Sequence, residues 1–257
     1  MSKTKIVTWN VNSVRARLEI LTNYLDTKKP DIIAIQETKV VDEDFPANVF
    51  KDLDYNVEFS GQKSYNGVAV ATKIPYKSVK KDIFDTNDEK RTIQIEFKDF
   101  TLINCYFPHG GQRYEEKFFQ KLEFYQRMKS YLTKDTLLNK KTILLGDFNV
   151  APEDIDVWDS SLLQDSIGFM KEEREVFNEL KNAGLIDLFR LFHKEDKEFT
   201  WWDYRTQSFR KNEGMRIDHM LITESLKNYA TNCFIDKEPR KLKGTTDHAP
   251  LWAEFSL

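Results

Sequence analysis

The sequence predicts an α/β protein built on a mixed sheet system, and three observations carry that expectation. Apolar runs of strand length recur from end to end, amphipathic helices lie between them, and one segment alternates with the period of a half-exposed strand. The clearest strands are Lys5 to Trp9, Asp31 to Ile35, Gly67 to Ala71, Thr101 to Phe107, Thr142 to Leu145, Ile217 to Ile222 and Ala249 to Phe255. In Arg91 to Phe97, Ile93, Ile95 and Phe97 take one side while Gln94 and Glu96 take the other. A helix from about Tyr114 to Leu132 would carry Phe118, Leu122, Tyr125 and Leu132 on one face. Another would present Leu18, Leu21 and Leu25 after an N-cap at Ser13. The charge run Lys171 to Glu175 reads as the solvated start of a helix leading into Val176, Phe177 and Leu180. Ile6 to Asn10 and Ile143 to Asn149 echo one another as apolar strands ending in asparagine, which suits two similar half-sheets packed face to face.

The length of 257 residues fits one large domain or two small ones. Folded as one unit it would bury roughly 70–75% of its unfolded surface and need no disulfide or structural metal. Cys105 and Cys233 form no CxxC pair and read as thiols of a reducing compartment. The first residues run from Met1 straight into a strand, and no stretch approaches the ~18 apolar residues of a bilayer span, so cytoplasmic residence is expected. A net charge of −3 gives no sign of nucleic-acid binding, although a basic face can sit on an acidic protein. Glycine is rare at nine residues, and Gly67, Gly110, Gly111, Gly146, Gly214 and Gly244 flank polar clusters, where backbone must turn or lie close to a ligand.

Those polar clusters stand at the ends of strands. The first strand delivers Asn10 and Asn12, the second Gln36, Glu37 and Lys39, and the Thr101 strand Tyr106 and then Pro108-His109-Gly110-Gly111. The Thr142 strand delivers Asp147 and Asn149, Arg216 and Asp218 sit near Ile217, and Asp247-His248 precede the last strand. Singly, Glu37 reads as a solvated acid, the asparagines as turn residues and Tyr106 as a core tyrosine. His109 and His193 read as loop and surface residues. Asp218 is harder to dismiss, because a carboxylate in an apolar strand is costly without a partner. Six such segments together point to one polar cleft at the edge of the sheets. Hard oxygen ligands there would suit Mg²⁺, and a histidine beside an acid can move a proton at neutral pH.

The blocks Thr8-Trp9-Asn10-Val11-Asn12, Ile35-Gln36-Glu37-Thr38-Lys39, Asn104-Cys105-Tyr106-Phe107-Pro108, Leu145-Gly146-Asp147-Phe148-Asn149, Met215-Arg216-Ile217-Asp218-His219 and Thr246-Asp247-His248-Ala249-Pro250 resemble, in order and spacing, the signatures of the exonuclease III family of DNA-repair nucleases. The resemblance spans nearly the whole chain. It implies a four-layer α/β-sandwich of the DNase I-like kind, two mixed β-sheets packed face to face and flanked by helices, as a single endonuclease/exonuclease/phosphatase domain over residues 1–257. It also implies a metal site of Glu37, with Asn10, Asp247, Asp147 and Asn149 as further candidate ligands, for Mg²⁺ or Mn²⁺. Tyr106, Asp147, Asn149, Asp218 and His248 are the catalytic candidates. Asp218 would orient His248, Asp147 would activate the nucleophile or protonate the leaving group, and Asn149 and Tyr106 would donate to phosphate oxygens. Asn12 stands where some relatives carry an aspartate that helps bind metal, which weakens the case for a second tightly bound ion.

The segment from Phe199 through Trp201, Trp202, Tyr204 and Arg205 to Arg210, Lys211, Met215 and Arg216 interleaves aromatics with cations, as a surface for stacked bases and phosphates would. It resembles the family's abasic-nucleotide pocket, with Trp201, Met215 and Ile217 as walls. A baseless sugar is cheap to flip out of a duplex, which suits such a pocket. Asn12, Arg15, Tyr65, Arg113 and Arg216 are the further DNA contacts implied, and Lys237, Arg240, Lys241 and Lys243 form an additional basic cluster. The expected activity is cleavage 5′ to abasic sites in duplex DNA, with 3′-phosphodiesterase, 3′-phosphatase and 3′→5′ exonuclease activities. The expected partner is duplex DNA with abasic sites or blocked 3′ ends, bound by a monomer with no membrane association. Two rivals share the fold: a nucleic-acid-binding regulator with a lapsed site, and a phosphatase of inositol phosphates or phospholipids.

Overall fold

Inward-facing side chains at alternate positions of two sheets build the centre of this molecule. The computed structural model describes residues 3–84 and 89–257; the leader-free start expected at Met1 and Ser2 lies outside them. In chain order the first half contains β1 (Thr4–Asn10), α1 (Leu18–Lys28), β2 (Ile32–Gln36), α2 (Ala47–Lys51), β3 (Asn56–Ser60) and β4 (Val68–Thr72). Then come β5 (Tyr76–Lys81), β6 (Thr92–Phe97), β7 (Thr101–Tyr106), α3 (Glu116–Lys134) and β8 (Thr142–Asp147). The remainder contains α4 (Ser160–Leu163), α5 (Lys171–Asn182), β9 (Leu185–Asp187), α6 (Leu188–Phe192), α7 (Ser208–Lys211), β10 (Asp218–Thr223), β11 (Ala230–Ile235) and β12 (Leu251–Phe255).

The strands form two six-stranded sheets, ordered β11-β12-β1-β2-β4-β3 and β5-β6-β7-β8-β10-β9. Each has one parallel pair at its centre, β1 with β2 and β7 with β8, among antiparallel neighbours. Period two then sorts the side chains. Ile6, Ile32, Ala34, Leu102, Ile143, Leu145, Met220 and Ile222 face the other sheet and form the inter-sheet core. Val7, Trp9, Ile33 and Ile35 face outward onto Leu21 and Leu25 of α1 and Phe50 of α2. Ile103, Leu144 and Leu221 face outward onto Phe124 and Met128 of α3 and Phe177 and Leu180 of α5. The result is the four-layer α/β-sandwich, with two mixed sheets flanked by helices. Among the described residues no helix is long and apolar enough to cross a membrane.

Several sequence expectations shift. Helix α1 begins at Leu18, and Ser13, with φ of 90°, occupies the turn before it instead of capping the helix. The helix expected from Tyr114 starts at Glu116. The run Lys171 to Glu175 does open α5, yet Glu173 within it is fully buried rather than solvated. Strands β3, β5, β9 and β11 gave no apolar run because each lies at an edge of its sheet with a half-exposed face.

One polar contact joins the sheets just beneath the cleft. Asn104 of β7 donates Nδ2–H to the carbonyls of Ile35 (3.0 Å) and Ala69 (2.9 Å) in the other sheet, and its Oδ1 accepts from Gln36 Nε2 at 2.7 Å. All of these groups are buried, so losing the amide would strand them. Asn104→Leu is therefore expected to cost about 2–4 kcal/mol in urea unfolding, and a loss below ~1 kcal/mol would show that the sheets do not depend on this contact.

Candidate active site

At one end of the sandwich the inward positions stop being apolar. Ile6-Thr8-Asn10, Ile32-Ala34-Gln36, Leu102-Asn104-Tyr106 and Ile143-Leu145-Asp147 each run along one inward row from core to polar terminus. Strand β10 enters the same end from the opposite direction, with Asp218 first and Met220 and Ile222 behind it. Register does the rest. Asp147 stands opposite both Tyr106 on β7 and Asp218 on β10. Gly146 makes this possible, because a Cβ there would lie 1.9 Å from the Cys105 carbonyl oxygen and its φ of +139° is hostile to side chains.

Glu37, Asp147 and His248 place one ligand-type atom each within 4.8 Å of one another. Asn10, fully buried, donates Nδ2–H to both Glu37 Oε1 (2.7 Å) and Asp147 Oδ2 (2.8 Å). Lys39 Nζ lies 2.5 Å from Glu37 Oε2 and donates to Asn12 Oδ1 at 2.6 Å. His248 Nδ1 donates to Asp218 Oδ2 at 2.8 Å, and its Nε2 lies 3.9 Å from Asp147 Oδ2. Asp218 is held in turn by its backbone N–H on Thr200 Oγ1 (3.0 Å). Asn149 donates its backbone N–H to Asp147 Oδ1 (2.9 Å) and its Nδ2–H to the Phe107 carbonyl (3.0 Å). Asn12, Ser13, Glu37, Lys39 and Asn149 all have positive φ, between 47° and 90°. Such left-handed non-glycine residues are uncommon and cluster where surrounding contacts over-determine them.

The electrostatics follow from this crowding. Burial raises the Asp147 carboxyl to about 7, and Asp218 and Glu37 add to that against the opposing pull of His248 and the Asn10 hydrogen bond. Burial alone would lower His248, but Asp218 above all, then Asp147 and Asp247, raise it to about 10, so it is an imidazolium at neutral pH. Tyr106 is pushed well above its usual value by burial and then by Glu37 and Asp147, which keeps its hydroxyl protonated. Against burial, His248 and the N–H groups of Trp201 and Asn12 hold Asp247 below the ordinary carboxylate range.

The donor set can be tested for a metal. His248 is committed through Nδ1 to Asp218 and lies among carboxylates that favour its cationic form, which suits it to donate rather than to ligate. Glu37 and Asp147 remain as paired hard oxygens, a fit for an ion of the Mg²⁺ type, which takes few protein ligands. Asn10 turns its amide N–H toward both carboxylates and its Oδ1 toward the Asn12 backbone N–H, so it ties the pair together. Asp247 stands apart from this cluster, its oxygens accepting from Trp201 Nε1 (3.0 Å) and Asn12 Nδ2 (3.2 Å).

These residues open into a cavity of about 190 Å³ lined by Glu37, Tyr106, Asp147, Asn149, Trp201, Met215, Ile217, Asp247 and His248, together with His109, Ile167 and Gly168. The last three were not singled out in the sequence as site residues. His109 instead joins this cavity to a larger cleft of about 610 Å³ that shares Tyr106 and includes Tyr65 and Arg91. Arg91 lies over the Tyr106 ring. His248, bonded to Asp218, lines the smaller space and not the larger.

Other sequence candidates fall elsewhere. Arg216 is a correction. It is fully buried, with Nε on Asp156 (2.7 Å) and an amino group on Asp187 (2.8 Å), so it has no surface to offer a phosphate. Arg240 is likewise buried, donating to the Thr246 carbonyl beneath the rings of Trp202, Tyr204 and Phe209. Lys237 and Lys241 pair with Glu198 and Glu238. Trp202 is a core residue. Arg15 and Tyr65 are exposed, and Arg113 pairs with Asp165 and Glu172. His193 is tied at both ring nitrogens, to Asp196 and to the Cys233 carbonyl.

Fold and site together define a hydrolase of phosphoesters that works with a metal ion. A family model described as the Endonuclease/Exonuclease/phosphatase family matches residues 7–248, and the chain belongs to that family. It is 36% identical over 268 aligned positions to the exodeoxyribonuclease III of Haemophilus influenzae, covering 98% of this chain and 99% of that protein. An AP endonuclease from Archaeoglobus fulgidus shares the fold with a TM-score of 0.95 at 36% identity, over 98% of this chain and 99% of the other. A 3′ phosphatase from Neisseria, solved with a product DNA hairpin, has a TM-score of 0.94 at 33% identity, over 99% and 100% of the two chains.

The network around Arg216 generates a pH prediction. His219 Nδ1 accepts from Arg216 at 3.0 Å and Nε2–H donates to the Val150 carbonyl at 2.8 Å, an arrangement that needs a neutral ring. Burial, with Arg216 next, lowers its pKa to about 4. The unfolded chain takes up this proton near pH 6.5 and the folded one does not until about 4, so stability from this group is lost as the pH falls between them. Relative to His219→Gln, the wild type is expected to lose about 2 kcal/mol more between pH 7.5 and 5 in urea unfolding, and parallel profiles would refute the neutral assignment.

Proposed function

We propose that the protein is a Mg²⁺-dependent DNA-repair phosphodiesterase that cleaves 5′ to abasic sites in duplex DNA, with 3′-phosphodiesterase, 3′-phosphatase and 3′→5′ exonuclease activities. One observation carries this reading. His248, backed by Asp218, and the Glu37–Asp147 pair line the same small cavity, whose walls include Trp201, Met215 and Ile217. The names of the relatives described above support the DNA-repair class. The intact, hydrogen-bonded acid–imidazole pair argues against a regulator with a lapsed site. The apolar wall argues for a baseless sugar against an inositol phosphate, whose ring is polar all round.

Glu37 and Asp147 would hold the metal ion, and Mn²⁺ would suit the same oxygens. When bound, the ion supplies positive charge that neutralises the phosphate. The His248 imidazolium, fixed through Nδ1 by Asp218, presents Nε2–H to a phosphate oxygen where charge develops. The Asn149 amide and the protonated Tyr106 hydroxyl stand at the same cavity as further donors. Asp147, within reach of His248 and fixed by the Asn149 N–H, would either take a proton from an attacking water or give one to the leaving oxygen. Trp201, Met215 and Ile217 would hold the flipped sugar, with Asn12, Arg15, Tyr65 and Arg113 reaching flanking DNA. The working unit would be a cytoplasmic monomer acting on duplex DNA with abasic sites or blocked 3′ ends.

Incubation with a duplex carrying one abasic site should give strand cleavage with Mg²⁺ and none with chelator; cleavage in chelator would remove the metal from the scheme. Glu37→Ala should cut the rate by about 10²–10³ in a folded protein, and a near-normal rate would end its assignment as a ligand. Trp201→Ala should reduce abasic-site incision more than release of a simple 3′-phosphate, which needs no flipped sugar. Both rates must be taken at one salt concentration, because phosphate contacts make affinity salt-dependent. An equal fall in both would make Trp201 a structural residue only.

A further inference from the structure

Behind the catalytic cavity lies an ion pair that neither the metal site nor the acid–imidazole pair uses. Lys121 on α3 and Glu173 on α5 meet at 2.5 Å, and both side chains are fully enclosed. The Lys121 ammonium spends its three N–H donors on three acceptors: Glu173 Oε1, the Asn149 carbonyl at 2.8 Å and the His109 carbonyl at 3.2 Å. Glu173 turns its second oxygen to the backbone N–H groups of Gly168 (2.7 Å) and Met170 (3.0 Å). The Gly168 carbonyl in turn accepts from Ala151, two residues beyond Asn149. His109, Asn149 and Gly168 all line the catalytic cavity. Two charged side chains from the outer helix layer therefore fix three separate wall segments from behind.

Stability alone is a poor reason for such a pair. Taking an ammonium and a carboxylate out of water is expensive, and apolar replacements of buried pairs are often neutral or stabilising. Position is a better reason. Asn149 is held in a left-handed conformation with φ of 54°, and its backbone N–H and side-chain amide reach Asp147 and Phe107 in that pose. A carbonyl fixed by a charged donor resists the flip to ordinary backbone angles that would withdraw both. Gly110 lets the chain lie directly on the lysine, since a Cβ there would come within 2.9 Å of Lys121 Cδ.

We infer that Lys121 is a positioning residue for phosphodiester cleavage, acting through the Asn149 and His109 carbonyls, with Glu173 as the counter-charge that lets it stay ionised while anchoring the Gly168 segment. This rests on the proposed nuclease activity. The wild type assayed on abasic duplex with Mg²⁺ separates the two: no cleavage there removes the functional reading and this inference with it.

Given wild-type cleavage, three variants decide. Lys121→Met should lower kcat by about 30-fold or more, as small misplacements of reacting groups can, while KM moves about threefold or less. Glu173→Gln strands the Lys121 charge and leaves one oxygen for acceptor duties that two carboxylate oxygens perform, so it should lose thermal stability and lower kcat as well. The double variant Lys121→Met, Glu173→Gln removes both charges and should recover stability while kcat stays as low as in Lys121→Met alone. The low rate would then persist where stability has returned. Recovery of kcat along with Tm in the double variant would overturn the inference. So would a double variant that cleaves within about threefold of wild type, a comparison that holds even if Lys121→Met alone fails to fold.

Discussion

Three carboxylates that repel one another are held together at the end of the sandwich, and the rest of the molecule is arranged around that constraint. Glu37, Asp147 and Asp218 arrive on different strands, and burial first, then the company of Asp218 and Glu37, raises the pKa of Asp147. Two things offset the repulsion. The His248 imidazolium sits between Asp218 and Asp147, and the Asn10 amide donates to Glu37 and Asp147 together. A site that crowds like charges is poor for stability and good for receiving a cation. The strained backbone of Glu37, Lys39 and Asn149 belongs to the same trade, in which a rigid apolar sandwich supports a rim it would not otherwise hold.

The rim is rigid because it is an extension of the core. Asn10, Gln36, Tyr106 and Asp147 occupy the next inward position after residues that pack between the sheets, so their directions are set by strand pleat and register. Asn104 carries the polar character one step deeper and fixes the spacing of the sheets where the cavity begins. The buried triad of Arg216, Asp156 and Asp187 does comparable work under β10, and Lys121 with Glu173 does it under the loops after β7 and β8. Charge in this protein is used inside, at the backs of loops, as much as outside.

That interior use of charge also explains what could and could not be read from the sequence. Central strands announced themselves as apolar runs, and their polar termini announced the site, because a carboxylate such as Asp218 beside Ile217 and Met220 has no bland explanation. The edge strands β3, β5, β9 and β11 were silent, since a strand with one wet face and one wet edge has no distinctive composition. Arg216 and Glu173 were misread for one reason: a charge seen in one dimension looks solvated, and only the fold reveals its partner. Ile167, Gly168 and His109 were invisible as wall residues because a loop carries no periodicity to say which side faces a cavity.

Trp201 pairs through its backbone with both Met215 and His248. The wall of the cavity and His248 thus share one short ladder of main-chain pairing. The Trp201 indole adds a tie of its own, donating Nε1–H to Asp247 beside His248, and an insertion or deletion between Trp201 and Met215 would drag His248 out of line with Asp218. Point substitution could reshape that wall in descendants of this chain, but length changes between Trp201 and Met215 would be closed to them, and a loop would be, in evolutionary terms, the inelastic part of the site.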